Sequence, residues 1–265
     1  MNILDKIVAD KRKEVNLKKS LIPVSQLESS VLFRRETVSL GNALRNSATG
    51  IIAEHKRRSP SKSEINQNLN VQEVASGYEN AGVCGMSVLT DGKYFGGSLD
   101  DLLLARATVG IPLLRKEFII DEYQILEAKA HGADVILLIA AILPREAIKN
   151  FSEFAKSLDL DVLLEVHNQD ELHKSIMSSI DMLGVNNRNL KTFEVDLNTS
   201  RNLSRLIPDE FVKVSESGIS SPVAIRDLKT YGYQGFLIGE NFMATNNPGK
   251  NAKEFIELIK ENDEA

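Results

Sequence analysis

Eight short apolar runs, rich in Val, Ile and Leu, constrain this chain more than any other feature. They span residues 50–54, 85–91, 112–118, 135–141, 161–167, 182–188, 212–218 and 235–240. Each is too short for a helix and is bounded by glycine or polar residues, which is the pattern of a strand. Helical stretches separate most of them: 99–109, 122–133, 144–158, 169–177, 197–207, 222–231 and 252–261. Pro144 sits where a first helical turn tolerates it. The last stretch carries Phe255, Ile256 and Ile259 on one stripe. Strand–helix alternation implies a parallel sheet with right-handed crossovers. Eight such units close as a (β/α)8 TIM barrel, an α/β fold of about 250 residues. An open doubly wound sheet would carry a Gly-rich fingerprint after its first strand, and neither G-x-G-x-x-G nor G-x-x-x-x-G-K-[ST] occurs. Before the first run, Ile3, Ile7, Val8 and Val15 fall on one helical face over 3–17. The expectation is one domain over 1–265: an N-terminal helical extension to about residue 48, a barrel from about 49, and no fused second barrel.

In such barrels the active site lies at the carboxyl ends of the strands. The runs end there in Glu54 and Lys56, in Arg115-Lys116-Glu117, in Glu165, in Asn186-Asn187-Arg188, in Ser215-Glu216-Ser217-Gly218 and in Gly239-Glu240. Ionisable groups inside apolar strands are costly unless paired or functional. One such group is ordinarily a structural ion pair, but polar ends at the same place on so many strands indicate a site. Side chains two apart on a strand share a face. Glu54 therefore pairs with Lys56 and Asn186 with Arg188, and Lys56, Lys116 and Glu165 converge over the barrel mouth. Neighbouring cations and carboxylates shift each other's protonation, so the cluster is expected to supply a proton donor and a proton acceptor. Ser59-Pro60-Ser61 forms a hydroxyl-bearing turn, and Gly218 and Gly239 follow the seventh and eighth strands, where phosphate binds in these barrels. Phe95, in the loop after the second strand, is placed to stack on an aromatic substrate, with loop packing as the alternative.

The remaining features mostly exclude. Against 37 acidic residues stand 32 basic ones, a net charge of −5, which argues against a nucleic-acid surface. The basic cluster of Lys56, Arg57, Arg58 and Lys62 is either a solvated turn or a site for a small anion. No run approaches the roughly 18–20 apolar residues of a membrane span, and the charged N-terminus is no secretory signal. The single cysteine, Cys84, fits a reducing cytoplasm and reads as core filler. The four histidines show no metal-ligand spacing, so no metal is expected, and His55 should face the helices. There is no G-x-S-x-G.

Taken in order, six motifs resemble indole-3-glycerol-phosphate synthase. They are Ile52-Ala53-Glu54-His55-Lys56-Arg57-Arg58-Ser59-Pro60-Ser61, Leu89-Thr90-Asp91 with Lys93-Tyr94-Phe95-Gly96-Gly97-Ser98, Leu114-Arg115-Lys116, Leu164-Glu165-Val166, Gly184-Val185-Asn186-Asn187-Arg188 and Ser215-Glu216-Ser217-Gly218-Ile219. The resemblance extends over almost the whole chain. It implies ring closure, decarboxylation and dehydration of 1-(2-carboxyphenylamino)-1-deoxyribulose 5-phosphate, a step of tryptophan synthesis that needs no cofactor. By resemblance, Lys116 is the acid for ring closure, and Lys56 holds the substrate carboxylate or assists dehydration. Glu165 and Glu54 are acid–base carboxylates, Asn186 orients the substrate with Glu216 and Ser217 beside it, and Arg188 supports the charged site. Ser59, Ser61, Gly218, Gly239 and Glu240 hold phosphate, the last through its amide. The only partner implied is this small anionic aromatic sugar phosphate, with no nucleic acid or membrane, and the expected assembly is a monomer or weak homodimer.

Three positions depart from the family pattern: Glu117 where Asp is usual, Ser63 near a common Gly, and Asn189 near a common Asp. Two rivals stand beside this reading. Another phosphate-binding barrel, such as phosphoribosylanthranilate isomerase, needs one acid and one base and no decarboxylation. A non-catalytic phosphate-sugar binder needs the phosphate loops but not the lysines.

Overall fold

Alternation along each strand sets the architecture. In β1 (Ile51–His55), Ile52 joins an apolar cluster inside the barrel, while Ile51 and Ala53 join the layer between strands and helices. The same alternation runs through β2 (Gly85–Leu89), β3 (Leu113–Lys116), β4 (Val135–Ile139), β5 (Asp161–Val166), β6 (Met182–Asn186), β7 (Val212–Glu216) and β8 (Tyr233–Ile238). Leu114, Leu137, Leu163, Met182, Val212, Val214 and Leu237 fill the interior. All neighbours pair in parallel, and β1 pairs with β8, which closes the barrel. The computed structural model describes residues 3–263. Among them no helix is long and apolar enough to cross a membrane.

The helices are α1 (Ile3–Leu21), α2 (Val24–Glu28), α3 (Leu40–Arg45), α4 (Val71–Ala81), α5 (Gly92–Phe95), α6 (Leu99–Thr108), α7 (Glu122–Ala130), α8 (Arg145–Ser157), α9 (Gln169–Ser175), α10 (Asn198–Leu203), α11 (Pro222–Thr230), α12 (Glu240–Met243) and α13 (Pro248–Asp263). A helix follows every strand. The one after β1, α4, escapes the apolar-run reading although its ends are marked. The Asn70 side chain accepts from Gln72 N–H at its start, and Gly82 takes the left-handed conformation at its end. Several strands stop short of the apolar runs because the next residues turn away. Asp91, for example, caps α5 by accepting from Tyr94 N–H.

The N-terminal extension contains three helices rather than one, and it covers both ends of the barrel. At the amino end, α3 inserts Leu40 and Leu44 into the interior cluster. Its Ser39 hydroxyl and Gly41 N–H both donate to Asp161 at the start of β5, at 2.8 and 3.1 Å. At the carboxyl end, α1 overhangs the mouth. Its Lys11 is buried, with its ammonium 2.9 Å from Asp91 and 3.1 Å from Glu117. Burial opposes that charge, but Glu117 and Asp91 outweigh it and hold the pKa well above the lysine norm. Between α1 and α3 the chain is tied to the amino end of the barrel by Arg35, paired with buried Asp134 at 2.5 Å.

Candidate active site

Inward-facing residues at the strand ends form one polar layer. Glu54 of β1, Lys116 of β3, Glu165 of β5, Asn186 of β6 and Glu216 of β7 all border a cavity of about 420 Å³ at the mouth. The loops beyond add Lys56, Ser59, Ser61, Phe95, Arg188, Ser217, Gly218, Gly239 and Glu240. Every residue expected from the sequence to form the site therefore lines the same cavity. Register explains part of this convergence: Leu89 is level with Lys116, Ile139 with Glu165, and Asn186 with Glu216.

The charges sort into two groups. Lys56 donates to Glu54 Oε1 at 2.8 Å, and the other oxygen of Glu54 accepts from Ser87 at 3.3 Å. Lys116 donates to Glu216 Oε2 and lies 3.4 Å from Glu165 Oε2. Burial alone would neutralise Glu54, but Lys56 and Lys116 outweigh it and hold its pKa below the usual carboxylate range. Burial also opposes the Lys116 charge, yet Glu216, Glu165 and Glu54 keep the ammonium protonated well beyond neutrality. Glu216 moves the other way: burial, joined by the charges of Glu165 and Glu54, pushes it up to about 7 against the pull of Lys116. Its Oε1 is buried without a hydrogen-bond partner, which suits a carboxyl group that gains a proton near neutral pH. A fixed ammonium beside a carboxyl poised near 7 provides a proton donor and an exchangeable proton in one place.

Two glycines make room for these carboxylates. A Cβ on Gly239 would stand 2.6 Å from Glu54 Oε1, and one on Gly184 would run into Glu216 Oε1. The role of Gly184 is missed by a reading strand by strand, because the side chain that requires it comes from β7.

In the loops after β1, β7 and β8 the polar groups suit an anion. Ser59 and Lys62 exchange backbone hydrogen bonds at 2.8 and 3.1 Å, which tightens the Ser59-Pro60-Ser61 turn. The Ser59 and Ser61 hydroxyls lie 3.1 Å apart. Ser217 and Gly218 take consecutive positive φ angles of 68° and 77° after β7. Gly239 precedes α12, whose first-turn amides, those of Glu240 and Asn241, have no acceptor within the helix. The Glu240 carboxylate is itself occupied, accepting from Lys62 at 2.9 Å. Asn186 Oδ1 accepts from Arg188 N–H at 2.9 Å, and the Arg188 guanidinium donates to the Phe193 carbonyl at 3.1 Å.

Other polar residues at the strand ends turn outward and hold the structure. Arg115 is buried against Thr90, the Gln124 carbonyl and Glu127. Asn187 donates to Ser215 and to the carbonyls of Glu216 and Ser217, and so fixes the loop after β7. Arg57 pairs with Asp101 at 2.6 Å, and Arg58 donates to the carbonyls of Gly92 and Lys93. Both thus tie the first loop to the second. His55 faces outward and is buried; burial first, then Arg57, pushes its imidazole down to about 4. Half-buried Cys84 packs against the interior cluster. Among the described residues no group of three or more His, Cys, Asp or Glu is placed to hold a metal ion.

The departures at 117 and 189 are accommodated. Glu117 accepts from Thr90 and from Phe118 N–H while it meets Lys11. Asn189 Oδ1 accepts from Lys191 and Thr192 N–H, a turn that needs the oxygen and not a charge. The sequence reading also missed the apolar wall that α1 contributes. Ile3, Leu4 and Ile7 line the cavity together with Phe95, whose ring lies 5.9 Å from that of Phe118.

Residues 4–255 match the family model of indole-3-glycerol phosphate synthase. A protein of that name from Bacteroides thetaiotaomicron is 48% identical over 98% of this chain and 99% of its own length. Another from Caldanaerobacter subterraneus subsp. tengcongensis is 41% identical over 97% and 99%. The fold alone is shared with 3-hexulose-6-phosphate synthase from Salmonella typhimurium, at a TM-score of 0.64 and 11% identity over 80% of this chain and 99% of that one.

Proposed function

The chain belongs to the indole-3-glycerol phosphate synthase family, and on that premise we propose how its own residues divide the reaction. The enzyme is a decarboxylating lyase of tryptophan biosynthesis. In its substrate, 1-(2-carboxyphenylamino)-1-deoxyribulose 5-phosphate, the carboxyl-bearing ring carbon attacks the ketone, whose oxygen must gain a proton. Carbon dioxide then leaves, and its bonding pair returns to the ring. Loss of the hydroxyl as water, with one carbon-bound hydrogen leaving as a proton, completes the indole.

Lys116 delivers the first proton. The observation that carries this reading is its ammonium held between Glu165 and Glu216 at the cavity edge, charged and pointed into the site. Lys56 meets the substrate carboxylate or assists dehydration. Glu165 and Glu54 act as acid–base carboxylates, and Asn186 orients the substrate with Glu216 and Ser217 beside it. Arg188 supports the charged site, and Phe95 stacks against the aromatic ring. Ser59, Ser61, Gly218, Gly239 and the Glu240 amide receive the phosphate. The single barrel domain, a monomeric or weakly dimeric state and a cytoplasmic location belong to the same proposal; the lone thiol of Cys84 supports the last.

The test is an indole-fluorescence assay with this substrate, run with carbon dioxide detection. Well-folded protein that yields neither signal overturns the reading. Lys116→Ala should lose more than about a hundredfold in turnover, within the range a general acid contributes. Near-normal turnover by that variant removes Lys116 from its role.

A further inference from the structure

His167 follows β5 by one residue, shares the face of Glu165, and is not among the residues lining the cavity. Its Nε2 is buried, has no hydrogen-bond partner, and lies 3.4 Å from Glu165 Oε1. Its Nδ1 lies 3.1 Å from Glu171 Oε2 in α9. Glu171 is fixed in turn: His167 N–H donates to the same oxygen at 2.8 Å, and Asn168 Nδ2 donates to Oε1 at 2.8 Å. A carboxylate–imidazole–carboxylate chain therefore runs from buried Glu165 to Glu171, whose side chain is 16% exposed.

A histidine that only packs would be expected to satisfy both nitrogens, since an unpaired buried polar atom costs about 1–3 kcal/mol. Here Glu171 claims the Nδ1 proton, which leaves Nε2 facing Glu165. If Glu165 is ionised and the ring neutral, a lone pair faces a carboxylate. If one proton is present, either Nε2–H donates to Oε1 or Oε1–H donates to Nε2, and both arrangements are attractive.

We infer that His167 and Glu165 hold one proton between them, and that His167 is the positioning residue that lets Glu165 act first as an acid and then as a base. In the first role that proton passes from Nε2 to Glu165, the Nε2–H bond breaking as the O–H bond forms, and goes on to the departing hydroxyl, which leaves ionised Glu165 beside a neutral ring. In the second role Glu165 takes the carbon-bound hydrogen that the substrate loses as a proton, and the pair again holds one proton. Only a proton moves, and Nδ1–H stays with Glu171 throughout. The groups facing the ring favour its charged form: burial disfavours the imidazolium, but Glu171 of α9, Glu165 of β5 and Glu216 of β7 outweigh burial and raise its pKa. Lys116 of β3, on the far oxygen of Glu165, is the opposing charge.

The inference rests on the acid–base reading of Glu165, so that residue is tested alongside. His167→Gln keeps an amide able to donate to either carboxylate but holds no proton. Its kcat should fall by about tenfold or more, less than the ~10²–10⁴ of a whole acid–base group. KM should stay within about twofold, and the pH profile of kcat should change shape. In His167→Ala, added imidazole should restore part of the lost turnover. Glu171→Gln, which keeps its acceptor oxygen but loses the charge, should show a smaller loss and shift the pH profile of kcat toward acid. Wild-type kcat in His167→Gln, or a loss with an unmoved pH profile and no rescue, overturns the inference. Should Glu165→Gln be inactive while His167→Gln is normal, only this inference fails. Normal turnover by both variants removes the reading of Glu165 as well.

Discussion

Gly184→Ala tests whether the site depends on the position of the Glu216 carboxylate. Gly184 lies level with Glu165 in the β5–β6 register. An added methyl group would meet Leu163 Cδ1 at 3.2 Å and overlap Glu216 Oε1. Leucine can yield a few tenths of an ångström, but Glu216 must retreat by about 1 Å to reach van der Waals separation. Its Oε1 has no hydrogen bond to lose, whereas the same movement draws Oε2 away from Lys116. The backbone of Gly184 is outside the left-handed region. Alanine is therefore tolerated there and stabilises by about 0.4–1 kcal/mol through the unfolded chain, against about 1–3 kcal/mol of crowding. The net change in Tm should be a few degrees at most. A misplacement of about 1 Å costs on the order of a hundredfold in rate, or about 2.7 kcal/mol of barrier. The indole-fluorescence assay should show that loss in kcat with the fold intact by circular dichroism. In Glu216→Gln the displaced carboxylate no longer matters, so Gly184→Ala added to it should cost little more. Near-wild-type turnover by Gly184→Ala, or losses that add fully in the double variant, would refute the reasoning.

Three further outcomes follow from the same charges. Glu216 binds its proton more tightly when folded, up to about 7, than the unfolded carboxyl does. It therefore lowers stability progressively as pH rises from the unfolded carboxylate value toward 7. The Tm of Glu216→Gln minus that of wild type should rise with pH across that window, and a flat difference would contradict the shift. Lys11→Met leaves Asp91 and Glu117 buried without their shared cation. It should destabilise by about 3–5 kcal/mol in a denaturant titration and raise KM as α1 loosens from the mouth. Binding of the product's phosphate and indole should change the protonation of Glu216, read as a binding enthalpy that depends on the ionisation heat of the buffer near pH 7; Glu216→Gln should abolish that dependence.

What the sequence revealed and what it hid divide by range. The facing of Glu54 with Lys56, or of Asn186 with Arg188, depends only on the two-residue period of a strand and is legible locally. The fate of Arg57 and Arg58 depends on Asp101 and on two carbonyls of the next loop, so a run of charge that resembled an anion site serves to join loops. Lys11 looks like one more basic residue on a polar helix until Asp91 and Glu117 are brought to it. Helix α4 was locally marked by Asn70, Gly82 and the spacing of Val71, Val74, Ala75 and Tyr78, but its short, polar-rich sequence hid that pattern. The space kept by Gly184 is invisible because the residue that fills it belongs to another strand.

The composition of the polar layer bears on how the site binds a ligand that is itself an anion. Three carboxylates, Glu54, Glu165 and Glu216, face two ammonium groups, Lys56 and Lys116. With all of them ionised the layer carries one excess negative charge, and burial makes that charge costly. The excess cannot be relieved at Glu54, which Lys56 and Ser87 hold ionised. It is relieved at Glu216, whose Oε1 has no donor and whose pKa is raised accordingly. A substrate carboxylate placed near Lys56 adds negative charge to the same layer and favours the proton on Glu216 further. Carbon dioxide leaves neutral and its bonding pair returns to the ring, so if Lys116 gives the ketone its proton, the charge of the substrate carboxylate is balanced by that proton and Lys116 becomes the neutral member of the layer. Glu216, hydrogen-bonded to the Lys116 nitrogen, is then the carboxyl group placed to return a proton to it before the hydroxyl leaves as water.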